Sequence, residues 1–244
     1  MKICAIVEAR MTSSRLPGKV LMKPDDNNTF FEILIKRLYR VKELSSIILA
    51  TTTNKADDKL VKKAKNLNLK VFRGSEYNVV NRVLNAAKKF NAEIILGITA
   101  DCPLIDPYIV SNAIQMYLNN DIDYVSNGHV RSFPDGMDCQ VFSLKTLKRS
   151  YALIKTELEK EHLGLVIRNN RKKFRKFTLI APRDLYWPEL GLTLDEYDDY
   201  IFLKRIINHF GKDYKFSCHD IISFLKKNKK LLKINSHVIR KGDN

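Results

Sequence analysis

A polar loop with three basic side chains follows the first apolar segment of the sequence, residues 3–7. The loop, residues 8–19, carries Arg10, Arg15 and Lys19 together with three hydroxyl groups and a Pro-Gly turn. Arginine can hold phosphate oxygens through two parallel hydrogen bonds, and lysine acts as a mobile point charge. The glycine patterns of the P-loop and of dinucleotide-binding folds are absent. The loop therefore predicts a triphosphate site of another type, with a solvated basic surface as the alternative.

Carboxylates follow two other apolar segments of the chain. Asp101 comes shortly after residues 93–98, and Asp195 comes directly after residues 192–194. Magnesium prefers oxygen ligands and usually takes one or two from a protein, with phosphate and water completing its shell. Asp101 is therefore a candidate magnesium ligand, and Asp195 is the candidate for a second ligand from a distant part of the chain. Asp106 precedes a proline, so we expect it to be a helix N-cap instead.

Two later segments carry polar groups suited to substrate contact or proton transfer. Asp135 and Asp138 flank a glycine next to a Pro-Asp turn, and Glu161 and His162 lie just before another glycine. Such groups can act as acids or bases, but neither segment forms a specific motif by itself. The other four histidines are assigned no role.

Short apolar segments alternate with helical patterns through the first half of the chain. The predicted strands and helices, in chain order, cover residues 3–7, 30–38, 47–50, 56–66, 70–72, 79–87 and 93–98. This order predicts an α/β fold of the Rossmann-like type, with a mainly parallel central sheet and helices on both faces. Ligands of such sheets bind beyond the carboxyl ends of the strands, where the loop and Asp101 lie.

The second half is less regular. Its predicted elements are strands at 123–126, 139–142 and 177–181, a helix at 144–154, and a terminal helix and tail from residue 217. We expect one main domain, residues 1–210, with a helical tail, residues 211–244, packed on it.

Composition limits the classes of partner. The net charge of +16 makes nucleic acid a candidate, but the basic tracts at 171–176 and 226–230 are typical of solvated lysine-rich faces, and an anionic substrate would also be attracted. The four cysteines are widely separated and show no C-x-x-C pairing, which argues against a zinc site or a disulfide framework. We therefore expect no nucleic-acid partner. We also expect a cytoplasmic protein with no membrane partner, since no apolar run is long enough for a signal peptide or a membrane span.

The motifs taken together resemble one family over nearly the whole chain. That family comprises nucleotidyltransferases related to the spore-coat polysaccharide biosynthesis protein F and to acylneuraminate and 3-deoxy-manno-octulosonate cytidylyltransferases. The resemblance rests on residues 9–11, 14–19, 50–52, 72–75, 101–107, 123–127, 134–136, 161–162 and 195–196.

The resemblance implies a nucleotidyltransferase fold, a homodimer and a set of site residues. The implied catalytic residues are Arg10, Arg15, Lys19 and Asp101. The implied nucleotide-binding residues are Ala9, Arg10, Met11, Ser13, Ser14, Arg15, Lys19, Thr99 and Asp101. Asp101 and Asp195 are the implied Mg²⁺ ligands. The residues expected to contact the acceptor, which is the molecule that receives the nucleotidyl group, are called the acceptor-side residues; they are Asp135, Asp138, Glu161 and His162.

The expected reaction is Mg²⁺-dependent transfer of CMP from CTP to an acidic sugar or related small molecule, with release of pyrophosphate, in surface polysaccharide or glycan biosynthesis. The alternatives are a glycosyltransferase or nucleotide-sugar-binding protein of similar fold and, less favoured, a nucleic-acid-binding protein. The chain departs from the family pattern at Glu8, where glutamine is usual, at residues 163–164, and at residues 191–193, where an Arg-Trp-Thr pattern is replaced by Gly-Leu-Thr.

Overall fold

The computed structural model describes residues 1–240. Within that range, seven strands form one sheet: β1 (Ile3–Glu8), β2 (Ser46–Thr52), β3 (Lys70–Gly74), β4 (Ile94–Thr99), β5 (Tyr124–Ser126), β6 (Gln140–Ser143) and β7 (Lys176–Thr178). The α-helices of the same range are α1 (Phe30–Leu38), α2 (Asp58–Asn66), α3 (Val79–Lys89), α4 (Pro107–Leu118), α5 (Leu144–Tyr151), α6 (Glu157–Glu161), α7 (Leu165–Asn169), α8 (Tyr197–Phe210) and α9 (Cys218–Lys227). Short 3₁₀ turns occur at Lys19–Leu21, Lys55–Asp57 and Lys229–Ile234.

The sheet has the strand order β3-β2-β1-β4-β6-β5-β7. All neighbouring strands are parallel except β6, which runs antiparallel to both β4 and β5. The chain builds outward from β1 to β3 and then returns to place β4 on the other side of β1. This reversal of direction creates a crevice at the carboxyl ends of β1 and β4, the usual ligand position in an open α/β sheet. The predicted mainly parallel sheet is confirmed.

Apolar side chains alternate between the two faces of the central strands. On one face, residues such as Val7, Leu49 and Leu96 pack with α1, α2 and α4. On the other face, Ile6 and Ile48 and their neighbours pack with α3, α5 and α7. Both faces of the sheet are therefore covered by helices, as the continuous apolar runs of the strands predict.

A third cluster joins the C-terminal helices to the rest of the molecule. Phe202 of α8 and Ile221 of α9 share this cluster with Phe30 of α1 and Leu104. Asp106 strengthens the junction, because its carboxylate accepts from the backbone N–H of Tyr108 at 2.8 Å and from that of Cys218 at 2.6 Å. The predicted N-cap at Asp106 is thus confirmed, and the same side chain anchors α9. Residues 241–244 of the predicted tail lie outside the described residues.

Differences from the sequence-based expectation fall in the second half. The helix expected at 144–154 ends at Tyr151, and the strand expected at 177–181 is Lys176–Thr178, since its partner β5 ends at Ser126. Helices α6 and α7 were not anticipated, because five residues are too few to show a helical repeat. Among the described residues, none of the helices combines the length and apolar character that crossing a bilayer requires.

Candidate active site

The loop after β1 is shaped by a turn that aims Lys19 inward. Gly18 adopts a left-handed conformation with φ of 73°, which favours glycine, and its N–H donates to the carbonyl of Met11 at 2.9 Å. The N–H of Met11 in turn donates to Oδ1 of Asp57 at 2.7 Å, which ties the loop to the 3₁₀ turn after β2. Lys19 begins the following 3₁₀ turn and is only 7% exposed. The Pro-Gly sequence therefore delivers a buried ammonium to the sheet edge.

Lys19 joins the two predicted metal ligands. Its Nζ lies 3.0 Å from Oδ2 of Asp101 and 2.9 Å from Oδ1 of Asp195, and Nη2 of Arg15 lies 2.9 Å from the same Asp195 oxygen. Two carboxylates that are far apart in the chain thus meet on one cation at the edge of the sheet.

The charges of this cluster stabilise one another. Burial acts to lower the pKa of Lys19, but the charges of Asp101 and then Asp195 outweigh it and raise that pKa above its ordinary value. Burial likewise acts to raise the pKa of Asp101, but the charge of Lys19 together with hydrogen bonds from Thr99 and Lys19 lowers that pKa below its ordinary value. Both groups therefore remain ionised at neutral pH.

Asp195 is held by backbone links to two other segments. The N–H of Leu194 donates to the carbonyl of Asp101 at 2.8 Å, which sets the two acidic positions side by side. The N–H groups of Asp195 and Glu196 both donate to Oδ2 of Asp199, at 3.0 and 2.9 Å. The position of Asp195 is consequently fixed by α8 on one side and by the loop after β4 on the other.

Lys19, Asp101 and Asp195 line a cavity with a volume of about 920 Å³. The four predicted acceptor-side residues line the same cavity. Asp135 is 9% exposed and pairs with Arg131 at 3.3 Å, whereas Glu161 is exposed at the end of α6. Burial, followed by the charge of Asp135, raises the pKa of Asp138 to about 7. The structure thus brings together Asp135, Asp138, Glu161 and His162, although they come from two separate segments of the chain.

Most of the predicted nucleotide-binding residues also line this cavity. They are Ala9, Arg10, Ser13, Ser14, Arg15, Lys19, Thr99 and Asp101. Met11 is not among the lining residues; its side chain packs against the apolar cluster under α1, and its role in nucleotide binding stays a prediction.

Some cavity residues were missed by sequence reasoning. Arg82 on α3 and Glu8 at the end of β1 face each other, and burial raises the pKa of Glu8 to about 7 despite the positive charge of Arg82. Within residues 1–240, Oε1 of Glu8 is buried without a hydrogen-bond partner. Arg240 also reaches the cavity, and Gly191, where the chain departs from the family pattern, leaves room for its guanidinium. Only the unusual Glu8 and Gly191 gave a signal in the sequence.

The donor set at the sheet edge fits a magnesium ion. Asp101 and Asp195 supply two carboxylates around a position that already attracts a cation, the ammonium of Lys19. In the described part of the chain, no group of three or more His, Cys, Asp or Glu side chains could hold a metal by itself. Two carboxylates are what Mg²⁺ commonly takes from a protein when phosphate oxygens and water complete its shell.

Comparison with known proteins identifies the family to which this site belongs. A cytidylyltransferase family model matches residues 4–238. The spore coat polysaccharide biosynthesis protein SpsF of Bacillus subtilis is 30% identical over 233 residues, which cover 93% of this chain and 95% of SpsF.

Solved structures agree with this match. A cytidylyltransferase from Leptospira borgpetersenii is 34% identical and superposes with a TM-score of 0.91, covering 99% of this chain and 100% of the other. A CMP:2-keto-3-deoxy-manno-octonic acid synthetase complexed with CTP shares the fold at a TM-score of 0.67 and 14% identity, covering 86% of this chain and 100% of the other. These matches favour nucleotidyl transfer over the glycosyltransferase and nucleic-acid-binding alternatives. The chain belongs to the cytidylyltransferase family and is a nucleotidyltransferase.

Proposed function

We propose that this enzyme transfers CMP from CTP to an acidic sugar or a related small molecule and releases pyrophosphate, with magnesium as cofactor. The observation that carries the proposal is the cluster in which Arg15, Lys19, Asp101 and Asp195 meet at the carboxyl ends of β1 and β4. A cluster of alternating charges at that edge suits a triphosphate accompanied by a divalent cation.

The basic loop would bind the triphosphate. Arg10 and Arg15 would hold phosphate oxygens in a bidentate manner, with hydroxyl and backbone donors from Ser13 and Ser14 beside them. In the free protein the ammonium of Lys19 bridges the two carboxylates, and Arg15 supplies a second positive charge at Asp195. If Asp101 and Asp195 held a divalent cation, Lys19 would be available to the leaving pyrophosphate. These assignments derive from the resemblance and from the lining of the cavity.

Asp101 and Asp195 would hold the magnesium ion. The chemistry that magnesium supplies when bound is neutralisation of charge on the phosphate oxygens, and the side chains of the loop contribute to the same neutralisation. The protein positions these groups before the reaction, which is the main contribution that an enzyme makes to phosphoryl-type transfer.

In the reaction, a hydroxyl oxygen of the acceptor attacks the α-phosphorus, and the bond from that phosphorus to the oxygen that bridges it to the β-phosphate breaks. Among the acceptor-side residues, Asp138 is half-buried in the cavity, and its carboxylate would accept a hydrogen bond from the attacking hydroxyl, whose proton passes to water. Asp135, Glu161 and His162 would contact the acceptor.

The wider setting rests on the relatives. The name of SpsF connects that relative with spore coat polysaccharide, and the synthetase complexed with CTP supports cytidine as the base. We place the reaction in surface polysaccharide or glycan biosynthesis, in the cytoplasm, by a homodimer that uses neither nucleic acid nor a membrane as partner. We also retain the division into a catalytic domain, residues 1–210, and a helical tail, residues 211–244.

Pyrophosphate release tests the proposal. The purified chain would be incubated with Mg²⁺, one of the four nucleoside triphosphates, and a panel of acidic sugars matched with neutral sugars of the same size. We expect release above the Asp101→Asn control only with CTP and an acidic acceptor. Faster release with another nucleotide would contradict the cytidylyl assignment, and equal release with neutral sugars would contradict the acidic acceptor.

A further inference from the structure

The C-terminal segment returns to the active site after α9. Asn235 is 5% exposed and Val238 is 7% exposed, so the segment packs against the body of the protein. Its last described residue, Arg240, lines the same cavity as the basic loop. Nη1 of Arg240 donates to the hydroxyl of Thr193 at 2.9 Å, and Nη2 donates to Oδ1 of Asp199 at 2.7 Å.

Asp199 is the junction between this segment and the metal-ligand loop, residues 191–196. Its side chain is fully buried and accepts from the backbone N–H groups of Asp195 and Glu196. It also accepts from Nη1 of Arg240 at 3.1 Å and from Nδ2 of Asn235 at 2.9 Å. One buried carboxylate thus connects the C-terminal segment with the backbone that carries Asp195.

The other end of the metal-ligand loop is covered by the same guanidinium. A β-carbon added at Gly191 would lie 2.1 Å from Nη2 of Arg240, so the guanidinium occupies the space of a side chain at that position. The amide of Asn235 donates to the carbonyl of Gly191 at 3.1 Å. The C-terminal segment therefore contacts the loop directly at Gly191 and Thr193, and it contacts the loop at Asp195 through Asp199.

This arrangement is sensitive to the loss of the guanidinium. Without Arg240, Asp199 would remain buried with its negative charge poorly compensated, and a buried charge that loses its partner is strongly unfavourable. The strain would fall on the hydrogen bonds that Asp199 receives from the loop. Asp195 projects from that loop toward Lys19, so its carboxylate would lose its fixed position.

We propose that Arg240 is a positioning residue that locks the metal-ligand loop, so that the C-terminal segment sets the affinity of the active site for its divalent cation. The effect on the cation rests on the proposed function, in which Asp195 is a magnesium ligand. The mechanical part, that Arg240 fixes residues 191–199, is independent of that assignment. Side chains that orient metal ligands typically change metal affinity or activity about 10- to 100-fold when they are replaced.

Three variants separate this role from general stability. Arg240→Ala removes the guanidinium, and Arg240→Lys keeps the charge but loses the two-pronged contact. Gly191→Ala displaces the guanidinium without changing it, and the backbone at residue 191 is not in the left-handed region. The control is Lys233→Ala, which removes an exposed positive charge from the same segment.

The first measurement is hydrogen–deuterium exchange of the peptide covering residues 191–199, with neither metal nor nucleotide present. We expect faster exchange in Arg240→Ala and Gly191→Ala, an intermediate rate in Arg240→Lys, and the wild-type rate in Lys233→Ala. Wild-type exchange in both Arg240→Ala and Gly191→Ala would overturn the proposal. If Arg240→Ala fails to fold, Gly191→Ala and Arg240→Lys still decide the question.

The second measurement is pyrophosphate release as a function of Mg²⁺ concentration. We expect Arg240→Ala and Gly191→Ala to need about 10-fold more Mg²⁺ or more for half-maximal rate, with recovery of turnover at high Mg²⁺. A loss of turnover by the same factor at every Mg²⁺ concentration would contradict the positioning role. If the wild-type enzyme showed no dependence on Mg²⁺, the proposed metal site would fail, while the exchange measurement would still decide whether Arg240 locks the loop.

Discussion

The basic loop at residues 8–19 and the acceptor-side segments at 131–138 and 161–168 line one cavity, but they are built differently. The loop is continuous in sequence, and its cations are matched by carboxylates, as with Lys19 between Asp101 and Asp195. The acceptor side is assembled from short, irregular pieces, and it holds like charges together, as with Asp135 and Asp138. One part of the site is stabilised by paired charges, and the other keeps a carboxyl group poised to change its protonation state.

The largest effect is expected where the two carboxylates meet. Asp101→Asn and Asp195→Asn keep the shape of the side chains but remove a charge, so each should lower turnover at least about 100-fold at ordinary Mg²⁺ concentrations. The double variant should be little worse than the worse single variant, because the two residues act as a unit. Pyrophosphate release measures this, with Asp26→Asn on the exposed surface as control. Near-normal turnover in either single variant would rule out a shared metal.

Next come the cations of the loop, where Arg15→Ala and Lys19→Ala should each weaken CTP binding about 10-fold or more. Each variant removes a charge-assisted hydrogen bond to phosphate. Lys19→Ala should also leave Asp101 and Asp195 facing each other, so its melting temperature should rise more on addition of Mg²⁺ than that of the wild type. Calorimetry measures the affinity for CTP, and thermal unfolding with and without Mg²⁺ measures the shift in melting temperature. Lys23→Ala, at an exposed position, is the control. If either variant bound CTP with unchanged affinity, the replaced residue would be only part of a solvated surface.

A smaller and more selective effect is expected on the acceptor side. Asp138→Asn should raise the KM for the acceptor roughly 10-fold while leaving the dissociation constant of CTP nearly unchanged. The low-pH limb of the turnover profile should also shift, because the variant lacks the carboxyl group whose pKa is raised to about 7. If Asp138→Asn weakened CTP binding as much as the loop variants do, the division of the cavity into two sides would be wrong.

The smallest effect concerns stability at Glu8. Its pKa is raised from 4.5 to about 7, so the folded protein holds this proton more tightly than the unfolded chain and loses stability as pH rises through that window. Above pH 7 the buried carboxylate remains an unfavourable contribution to stability. Glu8→Gln should therefore raise the melting temperature at pH 8 by a few degrees and leave it nearly unchanged at pH 4.5, with nucleotide and metal absent. Exposed Glu93→Gln is the control, and an equal gain at both pH values would contradict this origin.

The parts of the site also differed in how well the sequence predicted them. Strong strands and amphipathic helices made the sheet and the loop after β1 predictable, and Asp101 follows from its place after β4. Asp195 was a candidate from its position after residues 192–194 and gained support from the family resemblance, but its partners Lys19 and Asp199 belong to separate elements and were not predictable. Arg240 was not predictable, since its contacts with Asp199 and Gly191 depend on how the tail folds back. Long-range packing of short elements leaves little periodic signal in a sequence.

The most direct test of the central claim is a crystal structure with CTP and Mn²⁺ in place of Mg²⁺, in which anomalous scattering locates the ion. We predict one ion bound to both Asp101 and Asp195 and to the triphosphate, at coordination distances close to the roughly 2.1 Å of magnesium, with Lys19 turned toward phosphate. An ion bound to only one of the two carboxylates, or a triphosphate outside the loop at residues 8–19, would contradict the account.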